Sequence, residues 1–189
     1  CWHIRKLNRP ELQAGGRAYL EFNGAAMIAE VYLNGEKLTR HEGGYSTFRV
    51  DITDHLKDEN TLVVSVDNSE NDHVYPQKAD FTFYGGLYRD VKLITVPENH
   101  FSLDYAGGPG IKVTPIVKGN DAEVTVEVWV HGPADTVRVT VDEIAKEAKV
   151  ISHRAKTVFL IKNAHLWDGL NDPYLYTATA ALPDDEIST

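Results

Sequence analysis

The sequence predicts an all-β protein built as two sandwich domains, and three observations carry that prediction. Short runs place an apolar residue at every second position, the period of a half-buried strand. Glycine, proline and Asn-Gly punctuate those runs at intervals typical of sandwiches. No stretch carries the longer period of an extended amphipathic helix.

In order along the chain, Trp2-His3-Ile4 already reads as strand. Ala18, Leu20 and Phe22 then alternate with Tyr19 and Glu21 until Gly24 breaks the run. Ala29, Val31 and Leu33 face one way while Glu30 and Tyr32 face the other. Asn34-Gly35 ends that strand as a tight hairpin turn, since both residues tolerate positive φ. Glu36 to Arg40 is the return strand, and His41-Glu42-Gly43-Gly44-Tyr45 is a glycine loop leading to Phe48 and Val50. Thr53 to Lys57 predicts the chain's one helical turn, with Thr53 or Asp54 accepting its free N–H groups. Leu62, Val64 and Val66 form the next inward face, and Val91 and Leu93 a last strand before the linker at Val96-Pro97.

The pattern resumes beyond that linker. Ile111 to Val117 is a strand holding Pro115, hence an edge. Val124, Val126, Val128 and Val130 make the cleanest alternation in the chain, and Val137, Val139 and Val141 repeat it after Gly132-Pro133. Val158, Leu160 and Tyr174 to Ala180 supply further strands. Trp129, on the outward face, reads as a sugar-stacking platform or, preferably, a domain contact; Trp167 reads as a plug at one end of a sandwich. The expected domains are residues 1–96 and 97–189. No Met precedes Cys1, and Leu182 to Asp185 reads as a turn whose return strand stops at Thr189, so truncation is expected at both ends.

Composition narrows the function. With 42% hydrophobic and 25% charged residues the chain is globular rather than disordered. A net charge of -9 opposes nucleic-acid binding. No apolar run approaches the ~20 residues of a membrane helix. One cysteine, Cys1, rules out an internal disulfide and leaves the compartment open. The eight histidines lack zinc-site spacing, no glycine-rich loop opens a helix, and no nucleophile elbow is present.

One stretch stands apart. Asp67 to Ala79 is a long polar loop containing Pro76, and such loops are usually functional or disordered. It delivers Asp80 directly ahead of Phe81-Thr82-Phe83-Tyr84 and the pair Gly85-Gly86. Adjacent glycines supply backbone conformations closed to other residues, or admit a close neighbour. From the residues alone, Asp80 is either a solvated loop carboxylate or a presented ligand.

The same residues resemble glycoside hydrolase family 2, and its bacterial β-galactosidases in particular. Val31 to Gly35 looks like that family's hairpin, followed by its His41 to Tyr45 loop and Phe48. Asp80 to Val91 is similar to its sugar-binding-domain signature. His100-Phe101, Asp104-Tyr105, Gly107 to Gly110, Leu166-Trp167 and Asp172 to Tyr176 continue the likeness almost end to end. The resemblance implies a galactose-binding-like jelly roll followed by an immunoglobulin-like sandwich, preceding a catalytic (β/α)₈ barrel in the family. Retaining hydrolysis uses two carboxylates ~5–5.5 Å apart. The resemblance assigns both to the barrel, so no catalytic residue is expected in this chain and the chain alone is expected to be inactive. It implies that Asp80 binds the galactosyl unit of a β-galactoside substrate beside the barrel, in some members through a sodium ion. No cofactor is expected for this region, while Mg²⁺ and Na⁺ enter with the intact enzyme, as does a homo-oligomer; neither nucleic acid nor membrane is an expected partner. The alternatives are a free-standing carbohydrate-binding module, or the same region of a β-glucuronidase or β-mannosidase.

Overall fold

The computed structural model describes residues 1–74, 80, 83–105 and 107–189, and divides them into two compact units, Cys1–Val96 and Pro97–Thr189. Every strand pairing in both is antiparallel.

The first unit holds β1 (Trp2–Asn8), β2 (Arg17–Phe22), β3 (Ala25–Ala26), β4 (Ile28–Leu33), β5 (Glu36–Glu42), β6 (Phe48–Asp51), β7 (Glu59–Asp67), β8 (Gly86–Leu87) and β9 (Val91–Val96). They form sheets ordered β1-β7-β4-β5 and β6-β2-β9, with a short β3-β8 pair at one end. This is the jelly-roll sandwich. Its core is what alternation selects: Val31 and Leu33 of β4 and Val64 of β7 face Leu20 and Phe22 of β2, all at most 2% exposed. Phe22 stacks on Phe48 at 4.7 Å between ring centres. Each such side chain contributes ~1.5–3 kcal/mol on burial.

Asn34 (φ 55°) and Gly35 (φ 88°) make the β4–β5 hairpin turn. Asn34 also bonds outward: its Nδ2 donates to the His55 carbonyl and to Asn60 Oδ1, and its Oδ1 accepts from the Thr61 N–H, each at 3.0 Å. The helical turn is a 3₁₀ turn at Thr53–His55 and is held differently from the expectation. Neither Thr53 nor Asp54 caps it. Asp51 Oδ1 accepts from the Thr53 N–H at 2.9 Å and from the Thr53 hydroxyl at 2.7 Å, and that hydroxyl accepts from the Ala18 N–H at 2.9 Å.

Strand β2 departs from simple alternation, since Tyr19 and Glu21 are buried along with Ala18, Leu20 and Phe22. Cations from both flanking strands cover Glu21. Arg49 of β6 lies at 2.7 Å and Lys92 of β9 at 3.7 Å from its carboxylate.

The second unit holds β10 (His100–Phe101), β11 (Ile111–Lys118), β12 (Asp121–His131), β13 (Thr136–Val141), β14 (Ile144–Lys149), β15 (Arg154–Ile161), β16 (Ala178–Ala181) and β17 (Glu186–Ser188). Strand β12 pairs with β10, β11 and β15, and the opposite sheet runs β14-β13-β16-β17. The chain therefore changes sheets at Gly132-Pro133, and the two valine faces meet across the core rather than side by side. This is the immunoglobulin-like sandwich. Pro115 sits on β11, which among the described residues pairs only with β12 and is an edge.

In β15 the buried face is Ala155 and Phe159, while Val158 and Leu160 are exposed. Strand β16 begins only at Ala178, so Tyr174 to Thr177 lies outside the sheet. Trp129 is sandwiched within its own unit, stacked on Tyr105 at 3.7 Å with the Arg154 guanidinium 5.4 Å from its ring centre. Trp167 plugs nothing in this unit: it is 64% exposed beside Leu166 and Leu175.

Candidate functional site

The elements around Asp80 are assembled from segments distant in sequence. Strand β3 pairs with β8, Ala25 opposite Leu87 and Ala26 opposite Gly86, and this ladder fixes where the chain enters the unit at Gly86. The loop leaves β7 through local bonds. Asp67 accepts from the Ser69 N–H, and Asn71 Oδ1 accepts from the His73 and Val74 N–H groups, all at 2.9 Å. Val74 then enters a small apolar cluster with Ala26, Met27 and Ile28, against which Phe83 and Tyr88 also pack. Anchors thus stand on both sides of Asp80, and the Asp80 side chain is exposed between them. Its neighbours Ala79, Phe81 and Thr82 lie outside the described residues.

The paired glycines have separate duties. Gly86 takes φ +75°, and a Cβ there would stand 3.0 Å from Cys1 Sγ and 3.3 Å from His3 Nε2. At Gly85 a Cβ would meet the Asn68 side-chain amide at 2.8 Å. The first pays for a backbone that L side chains rarely adopt, and the second admits a close neighbour.

The structure joins two stretches that stand apart in sequence, the glycine loop after β5 and the signature before β9. The Tyr88 hydroxyl donates to the Gly44 carbonyl at 2.6 Å, and burial pushes its phenol above the ordinary value, so it remains a donor at neutral pH. Arg89 donates to the carbonyls of Asn23 (3.3 Å) and Tyr45 (3.2 Å), and its guanidinium lies 5.2 Å from the Tyr88 ring centre. Tyr84 stacks on Tyr88 at 5.8 Å, and Tyr45 meets it edge-on at 6.2 Å. Beneath the loop His41 stacks on Phe48 at 4.1 Å, with its Nε2 3.1 Å from the Gly43 carbonyl and 3.1 Å from Ser46 Oγ. Burial holds this imidazole below its ordinary pKa, partly offset by the Gly43 carbonyl.

This arrangement presents a carboxylate beside aromatic faces. An exposed carboxylate accepts hydrogen bonds from sugar hydroxyls, and tyrosine faces pack against the C–H faces of a ring. Among the described residues no group of three or more His, Cys, Asp or Glu side chains could hold a metal ion. Asp80 belongs to no such group among the described residues. The aromatics were legible in the sequence; the partnership of Tyr45 and Arg89 was not, because only the fold brings them together.

Two family models match the chain: a glycosyl hydrolase 2 galactose-binding domain-like model over residues 2–104, and a glycosyl hydrolases family 2 model over residues 109–189. A β-glucuronidase of Bacteroides fragilis is 34% identical over 94% of this chain, which spans 28% of that protein. Among solved structures, an FMN-binding β-glucuronidase from Facaelibacterium prausnitzii L2-6 superposes with a TM-score of 0.87 at 39% identity, covering 99% of this chain and 31% of that one. A putative β-galactosidase from Bacteroides fragilis gives 0.86 at 30% identity, covering 100% of this chain and 32% of that one. The chain thus spans about a third or less of the relatives it matches. With both sandwiches matched in order by these models, the chain belongs to glycoside hydrolase family 2.

Proposed function

We propose that this chain is the non-catalytic N-terminal region of a longer retaining β-glycosidase, and that Asp80 is its contribution to substrate binding. The observation that carries the reading is the placement of Asp80. Two apolar anchors, Val74 and Phe83, pin the loop on either side of an exposed carboxylate. A merely solubilising acid needs no such support. The reaction itself needs a nucleophile and an acid/base ~5–5.5 Å apart, and both belong to the barrel that the family resemblance implies. Asp80 accepts hydrogen bonds from hydroxyls of the terminal sugar, directly or through a cation whose other ligands come from outside this chain.

Two terminal sugars are in contention. The relatives cited at 34% and 39% identity are named β-glucuronidases, which supports a β-D-glucuronide. The 30% identical structure named a putative β-galactosidase, together with the Asp80 to Val91 signature, supports a β-D-galactoside. We take the glucuronide first, on the higher identities. The test is turnover of a nitrophenyl glycoside panel by the full-length protein. Preference for the glucuronide supports the first reading, preference for the galactoside the second. Activity on neither, or a reading frame encoding no catalytic domain, would contradict the hydrolase reading.

A further inference from the structure

Two tyrosines beside the Asp80 segment stay open to solvent on a fixed base. Tyr84 is 57% exposed and Tyr45 38%, and both rings lie against that of half-buried Tyr88. The ring beneath them is held from several sides. Beyond its bond to the Gly44 carbonyl, Tyr88 fits closely against the turn after β2, where a Cβ on Gly24 would stand 2.9 Å from the phenol ring. Arg89 donates to the carbonyls of Asn23 and Tyr45, which ties the Tyr45 backbone to the same corner. Among the described residues the Tyr84 and Tyr45 hydroxyls have no hydrogen-bond partner, and neither does the Asp80 carboxylate. Aromatic faces on a rigid support, with a few polar groups near them, are what small-molecule sites present.

The inclination of the rings suits a planar guest. Tyr84 lies 15° from the plane of Tyr88 at 5.8 Å, whereas Tyr45 stands at 68° to it at 6.2 Å. Tyr84 and Tyr45 are therefore steeply inclined to each other. Offset stacking and edge-on contact are the two arrangements that aromatic pairs prefer, and this corner offers a ring for each. Chain length ties the corner to Asp80. Tyr84 is four residues beyond Asp80, so their Cα atoms lie no more than ~14 Å apart whatever path the chain takes. A sugar held by Asp80 and a ring bonded to that sugar both fall within this reach.

We propose that Tyr84, with Tyr45 beside it, is a specificity-determining residue that stacks an aromatic aglycone while Asp80 holds the terminal sugar. This rests on the reading of Asp80 as a substrate ligand, and it adds a substrate class to that reading: aryl β-glycosides. The two groups divide the recognition. Asp80 accepts hydrogen bonds and so reads hydroxyls, whereas the tyrosine faces read a flat apolar ring.

The experiment is competitive inhibition of the full-length enzyme by phenyl and methyl 1-thio-β-glycosides of whichever sugar the parent prefers. The probes share the terminal sugar and differ only in the aglycone, and inhibition constants report binding without the chemical step. The expected result is that the parent binds the phenyl probe more tightly. Tyr84→Ala should weaken that probe about threefold to tenfold and change the methyl probe by less than about twofold. Tyr84→Leu, which keeps apolar bulk without a ring face, guards against unfolding and should show the same selectivity, while Tyr84→Phe should match the parent. Equal weakening of both probes by Tyr84→Ala, weakening of neither, or a parent indifferent to the aglycone would overturn the proposal. Asp80→Asn separates the two claims, since it should weaken both probes alike. If it changes neither while Tyr84→Ala stays selective, the role of Asp80 falls and the tyrosine site stands. A full-length protein that hydrolyses no glycoside sinks both.

Discussion

The Tyr88 hydroxyl donates a 2.6 Å hydrogen bond to the carbonyl of Gly44, tying the signature segment to the glycine loop 44 residues earlier. Tyr88→Phe removes the donor and keeps the ring stacked on Tyr84. A part-buried carbonyl is left unpaired, which costs about 1–3 kcal/mol. Thermal melting of the variant should fall by several degrees, at roughly 4–8 °C per kcal/mol for a unit of this size. An unchanged melting temperature would mean that the two loops are tied by packing alone.

Gly86 gives a second test of the same corner. Gly86→Ala imposes a left-handed backbone on an L residue, costing ~1–2 kcal/mol. It also drives a methyl group to 3.0 Å from Cys1 Sγ. The variant should melt lower than the parent, while alanine at Gly35, which also has positive φ but open space around it, should show only the backbone cost.

The Glu21–Arg49 pair is about nine-tenths buried on both sides. Removing one partner of a buried pair costs ~3–5 kcal/mol, and an apolar replacement of both can be neutral. Lys92 at 3.7 Å softens the loss, so Arg49→Met should sit near the lower end. The double variant Glu21→Gln, Arg49→Met should recover part of it. Urea denaturation of the single and double variants measures the difference, and equal losses would contradict the pairing.

His100 is expected to make the second unit acid-sensitive. It is 1% exposed, its Nδ1–H donates to the Pro97 carbonyl at 2.8 Å, and its ring stacks on His131. Burial lowers its pKa, His131 lowers it further, and the Pro97 and Glu98 carbonyls and the Asp185 carboxylate oppose the shift. The unfolded chain therefore binds this proton more readily than the native one, and stability rises with pH. The contribution is complete above the unfolded value near 6.5 and is lost as pH falls from there through the lower folded value. Glu30, held at about 2 by Lys37 and Tyr32, loses its contribution only below the ordinary carboxylate range. Urea midpoints measured between pH 7.5 and 5 should decline for the parent and decline less for His100→Gln. Parallel curves would refute the assignment.

What the sequence revealed depended on how local each determinant is. The Val31–Leu33 face and the Asn34-Gly35 turn rest on alternation and positive φ, which are properties of adjacent residues, and both were legible. Burial of Glu21 was not, because it depends on Arg49 and Lys92 arriving from other strands. The same holds for the Asp51 bond to the Thr53 N–H, since only the fold brings Asp51, Thr53 and Ala18 together. Trp167 misled because an aromatic before a turn reads alike whether it plugs its own sandwich or waits for another segment. At the candidate site Asp80 was visible from its loop and signature. The packing of Val74 and Phe83 in one apolar cluster appeared only in three dimensions.

The central claim is that Asp80 binds substrate rather than merely solvating a loop. The direct measurement is kcat/KM and melting temperature of full-length Asp80→Asn against the parent, on whichever nitrophenyl glycoside the parent prefers. A hydrogen bond to a charged group contributes ~1.5–3 kcal/mol, or about tenfold to a hundredfold in rate if realised in the transition state. An exposed carboxylate adds little to stability. The expected result is a loss of kcat/KM of that size with an unchanged melting temperature. Unchanged turnover, or a loss matched by unfolding, would contradict the claim.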